Sequence, residues 1–114
     1  MADEIIYVDT NEGAKRVLNN IKLYVKLLAK FKNDTNMNDL EAALSAGDLP
    51  KAQTAAHTLK GLAANLSLTE LFKQSLELET QIKAGSVNPD QTAKVKDVYA
   101  KTLAEADKVI AQNE

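Results

Sequence analysis

Cysteine and tryptophan are absent from this 114-residue chain, and histidine occurs once. Without cysteine there is no disulfide framework, no thiolate nucleophile and no thiolate metal site. The lack also fits a reducing compartment, so a cytoplasmic location is expected. Aromatic residues make up 4% of the chain, which leaves an aliphatic core. No apolar run approaches the roughly 18 residues that a membrane-crossing helix needs. The opening MADEIIYVDT is acidic and has no signal-peptide centre. Neither charge sign dominates: 14 basic residues face 16 acidic ones, a balance that argues against a nucleic-acid partner. There is no Walker Gly-Lys-Ser/Thr loop and no glycine-rich kinase loop, and hence no ATP site. Internal repeats, low-complexity runs and linkers are missing too, so residues 1–114 read as one domain.

What is present is alanine, leucine and lysine in helical register. Hydrophobic residues supply 45% of the chain, and no strand pattern stands out. Residues 1–8, with Ile5, Ile6, Tyr7 and Val8 after an acidic start, suggest an extended arm or a short helix capping one end of a bundle. Asp9 or Thr10 can cap a short helix carrying Glu12, Ala14, Val17 and Leu18, and Asn19-Asn20 breaks it. Ile21, Tyr24, Val25, Leu28 and Phe31 form the stripe of a second helix; its lysines are expected to face water. After a turn at 33–36, with Asn36 as a possible cap, Met37, Leu40, Ala43 and Leu44 mark a third. Gly47 ends it, Asp48 caps the next, and Pro50 sits in its first turn. Ser67-Leu68-Thr69-Glu70 reads as a capping box before a helix with Leu71, Phe72, Leu76, Leu78 and Ile82. Gly85 stops that helix. Asn88-Pro89-Asp90-Gln91 starts the last, with Gln91 reaching back to the cap; Val95, Val98, Tyr99, Leu103, Ala106 and Ile110 form its stripe. Short loops make successive helices antiparallel neighbours. The expected fold is therefore all-α: an up-down-up-down four-helix bundle from helices starting near Met37, Asp48, Leu68 and Pro89, with one or two N-terminal helices covering one end. One set of apolar stripes predicts a monomer.

The single histidine sits in AAHTLKG, Ala55 to Gly61. At about 100° per residue, Ala52, Ala55, Ala56, Leu59, Leu62, Ala63 and Leu66 share one side of a helix. His57 faces roughly the other way, beside Gln53, Lys60, Gly61 and Ala64. A mid-helix glycine costs roughly 1 kcal/mol against alanine, a cost that is explained if something bulky must approach the imidazole. Lys60 can reach an anion held there. The plainer reading is an ordinary surface histidine with a lysine nearby. A metal site would have carboxylates alone to complete its shell, so no metal is expected.

AHTLKG, followed by LAANLSLTELFKQSLELE, resembles the signature of histidine-containing phosphotransfer (HPt) domains. His57, Leu59, Lys60 and Gly61 match position by position, as do Leu78 and Glu79 further on. Upstream, Val8-Asp9, Glu12-Gly13, Arg16, Asn20, Tyr24, Leu27-Leu28, Phe31, Leu44 and Ala46-Gly47-Asp48 continue the likeness, which spans about residues 8–85. The last helix matches only in being amphipathic. Ala14 stands where the family often has leucine. Ser67 stands where many members have the glycine of a helix-ending turn; either Asn65 takes the left-handed conformation here or Ser67 is purely a cap.

The resemblance implies a phosphorelay intermediate in two-component signalling. His57 would accept a phosphoryl group from a receiver-domain aspartyl-phosphate and pass it to another receiver aspartate, with a hybrid sensor kinase upstream. Nε2, the nitrogen farther from the helix backbone, would react. Lys60 would stabilise phosphoryl charge, and Gly61 and Ala64 would leave room for the receiver; Gln53 could touch phosphoryl oxygens, but the plainer reading, a solvated residue, is preferred for it. Mg²⁺ would come with the receiver, since the sequence shows no carboxylate cluster near His57. The protein would be a phosphocarrier, not an autokinase. A competing reading keeps the fold and drops the phosphorylation, leaving a helical adaptor that binds a receiver or another signalling protein; a third is a purely structural bundle. Retention of His57, Lys60 and Gly61 together favours the relay. Met1 favours a free-standing protein over a piece of a hybrid kinase.

Overall fold

A computed structural model describes residues 5–113; Met1 to Glu4 of the expected arm lie outside them. The described residues form helices and no strand. The helices are α1 (Thr10–Arg16), α2 (Ile21–Phe31), α3 (Asn36–Ser45), α4 (Leu49–Asn65), α5 (Thr69–Lys83) and α6 (Pro89–Gln112). α4 packs against both α3 and α5, α5 against α6, α2 against α6, and α1 against α2.

The apolar stripes explain these pairings. Ala52, Ala55, Ala56, Leu59 and Ala63 of α4 are buried, and the small alanines let α3 and α5 approach. Leu40 of α3, Leu71 and Leu78 of α5, and Val95 of α6 are fully buried in the same core. Each buried leucine or valine contributes about 1.5–3 kcal/mol through lost apolar surface. α2 adds Tyr24, Leu28 and Phe31, and Phe31 meets Tyr99 of α6 edge-on at 5.8 Å. Leu76, expected in the core, is instead exposed on α5. It lies on the outer edge of the stripe, where the neighbouring helix no longer reaches.

Asp9, Asn20, Asp48 and Asn88 cap α1, α2, α4 and α6 with side-chain oxygens, each worth about 1 kcal/mol. Three caps differ from the sequence expectation. Asn36 does not cap α3: Thr35 holds that position, and the Asp34 carboxylate accepts from the Asn36 backbone N–H at 2.9 Å. Gln91 does not reach back to Asn88; its amide donates to Gln74 of α5, while Gln81 accepts from the Asn88 N–H.

The third difference is at Ser67. The capping box is not formed, because Leu68 occupies the α5 N-cap position and makes no side-chain cap bond. Ser67 is itself the left-handed residue, at φ +57°. Its N–H donates to the Ala64 carbonyl at 3.3 Å and the Leu68 N–H donates to Ala63 at 2.8 Å, the Schellman pattern that usually employs glycine. Gly47 and Gly85 end α3 and α5 in the same way, at φ +71° and +72°. The strain at Ser67 is offset by its buried hydroxyl, which donates to Glu12 at 2.8 Å and accepts from Arg16 Nε at 3.2 Å.

These bonds tie α1 to the end of α4. The Asp9 N–H donates to the Ser67 carbonyl at 2.9 Å, and the Glu70 N–H donates to Ile6 at 3.2 Å, so residues 6–9 run as an arm along the α4–α5 turn. The Tyr24 hydroxyl donates to the Leu66 carbonyl at 2.6 Å. Gly13 leaves room for that tyrosine, since a Cβ there would run into the Tyr24 ring. α1 and α2 therefore close the end of the molecule where α4 finishes.

Candidate functional site

α4 turns its alanines and Leu59 inward, which leaves His57 outward with 68% of its side chain exposed. Across the α4–α5 groove, Glu79 is carried on the inward stripe of α5 and is 2% exposed. The two meet: His57 Nδ1 and Glu79 Oε2 are 3.0 Å apart. Lys60, one turn along α4, places Nζ 2.7 Å from the other oxygen, Oε1, and is 21% exposed. Lys83, one turn further along α5, lies 3.6 Å from Oε2 and is 57% exposed.

Burial alone would push the Glu79 carboxyl up. The bonds from Lys60 and His57, with the charges of Lys60 and Lys83, outweigh it and hold the group below its ordinary value. Glu79 is thus an ionised carboxylate and can only accept. That assigns the hydrogen of the neutral imidazole to Nδ1. Nε2 then carries the lone pair, and it makes no hydrogen bond among the described residues.

Gly61 and Ala64 are half-buried on the same side of α4 as His57, and nothing lies within 4 Å of where a Gly61 Cβ would stand. Gln53 is half-buried and makes no side-chain hydrogen bond to His57. The structure therefore joins His57 and Lys60 through a carboxylate, not directly. A single carboxylate, Glu79, sits beside His57. Glu79 was visible only as half of the Leu78-Glu79 pair; nothing in spacing alone says that α5 brings it opposite His57. Lys83 follows from Glu79 by its i,i+4 spacing.

The site is an open surface. A cleft of about 850 Å³ between α1, α2 and α4, with Val17, Leu27, Phe31, Leu62 and Leu66 in its wall, does not include His57. Among the described residues no helix is long and apolar enough to cross a membrane.

The chain is thus an all-helical domain that presents one exposed histidine held by a buried carboxylate. The chain belongs to the Hpt domain family, whose model matches residues 27–108 and so takes in α3 to α5 and every residue of the site. No curated protein and no solved structure matches the chain. Membership gives it a phosphotransfer role in two-component signalling, in which Hpt domains interact with receiver domains.

Proposed function

We propose that the chain is a phosphorelay intermediate whose Nε2 of His57 takes a phosphoryl group from a receiver aspartyl-phosphate and returns it to the aspartate of another receiver. The observation that carries this reading is the 3.0 Å bond from Nδ1 to buried Glu79, which leaves an exposed ring with its lone pair outward. In the transfer the Nε2 lone pair forms the N–P bond as the aspartyl O–P bond breaks, and the leaving carboxylate keeps the electron pair. The ring becomes cationic with its hydrogen still on Nδ1, and Glu79 stabilises that cation. Lys60 serves the phosphoryl charge by neutralising Glu79, so the arriving anion does not meet an uncompensated carboxylate. Mg²⁺ belongs to the receiver, because Glu79 is already occupied by Lys60 and His57.

The exposure of the His57 side chain suits a donor presented by another protein domain. Gly61 and Ala64 give it a low surface to approach. Helices α3 to α6 then act as an antiparallel up-down-up-down bundle, a reading supported by the short connections at 46–48, 66–68 and 84–88. Incubating the protein with a small acyl phosphate tests the acceptor. Label that is acid-labile and base-stable supports a phosphohistidine; no label, or label surviving acid, contradicts it.

A further inference from the structure

We infer that Lys83 is the ammonium that contacts the phosphoryl group on His57, while Lys60 stays on Glu79. This rests on His57 being the acceptor. The two lysines are not equivalent. Among the described residues the Lys60 ammonium is the one charge paired with Oε1, a buried oxygen that is otherwise unsatisfied, and the lysine stem is largely covered. Drawing it away would strand a buried carboxylate oxygen, which is strongly unfavourable. Lys83 is held more loosely, at 3.6 Å, on an oxygen it shares with the imidazole. Because both meet Oε2, the Lys83 ammonium already neighbours the ring, and its exposed stem can swing without opening the core.

The charge changes of the transfer act in the same direction. A neutral ring and Lys83 share Oε2 before transfer. Once Nε2 carries phosphorus the ring is cationic, and its Nδ1–H bond to Oε2 becomes charge-assisted and shorter. Oε2 no longer needs Lys83. At that moment a dianionic phosphoryl group stands on the far side of the same ring, and the released ammonium moves onto its oxygens. No bond to Lys83 forms or breaks covalently. Its role is to trade one anion for another as the phosphoryl group arrives, and to return when it leaves.

The test compares Lys83→Ala, Lys83→Arg and Lys60→Ala with wild type. Uptake is measured from a phosphorylated receiver and from a small acyl phosphate, the phosphohistidine is observed by ³¹P NMR, and each variant is unfolded in urea. Lys83→Ala is expected to keep the unfolding midpoint, to slow uptake from both donors about tenfold, and to shift the ³¹P resonance. Lys83→Arg should restore most of the rate and the resonance. Lys60→Ala should lower the unfolding midpoint. Wild-type uptake with wild-type resonance in Lys83→Ala overturns the role of Lys83 and leaves His57 as acceptor. No uptake by the wild-type protein overturns both.

Discussion

Glu79 is the residue on which the chemistry of His57 turns. Replacing it with glutamine keeps the shape and an acceptor oxygen but removes the charge that balances a phosphorylated ring. A hydrogen bond to a charged group is worth about 1.5–3 kcal/mol, so Glu79→Gln should take up phosphate about 10- to 100-fold more slowly. Its effect on stability depends on pH. The folded carboxyl lies below its ordinary value, so the stabilisation is full above the ordinary carboxylate range and is lost as pH falls through the lowered value. Urea unfolding should show a gap between wild type and Glu79→Gln at neutral pH that narrows on acidification; a gap independent of pH would contradict the assignment. At Gly61, where a Cβ meets open space, Gly61→Leu should leave stability unchanged or raise it by up to about 1 kcal/mol. Exchange with a receiver should slow. Equal exchange rates would show that the receiver approaches elsewhere.

At the scale of the elements, the helices were legible because the stripes and caps repeat at helical spacing. Asp9, Asp48 and Asn88 are capping residues read directly from their type; Asn20, read only as part of a break, caps α2 as well. The exceptions are where a distant partner decides. Gln91 bonds Gln74 because α5 lies beside it, and Ser67 is left-handed because α1 supplies Glu12 and Arg16 for its hydroxyl. A local pattern such as Ser-x-x-Glu contains neither partner. Likewise His57, Lys60 and Gly61 were visible on one helix, whereas Glu79 and Lys83 required knowing how α4 and α5 pack. The turn gives its own prediction. Ser67→Ala keeps the φ strain and loses both hydroxyl bonds, while Ser67→Gly loses the bonds and relieves the strain. The glycine variant should be the more stable by about 1 kcal/mol, read from unfolding midpoints; an alanine variant of equal stability would mean that the turn relaxes.

At the scale of the whole molecule, the apolar stripes of the described helices close on one another, leaving scattered exposed residues such as Leu18, Leu23 and Leu76. We therefore expect a monomer, with sedimentation giving a mass near 12.4 kDa; a stable dimer would mean that one of these exposed side chains belongs to an interface. The rigid frame keeps His57 and Glu79 on separate helices at bonding distance while the imidazole stays open to solvent. A two-stage relay tests phosphotransfer through His57 most directly. A labelled phosphorylated receiver is mixed with the protein, the donor is removed, and a second receiver is added. The wild-type protein should take up the label and pass it on. His57→Gln should carry none while keeping its helical circular dichroism, because His57 is exposed and its loss opens no cavity; its unfolding midpoint should fall modestly with the lost bond to Glu79. Label passing through the folded His57→Gln protein would contradict the account.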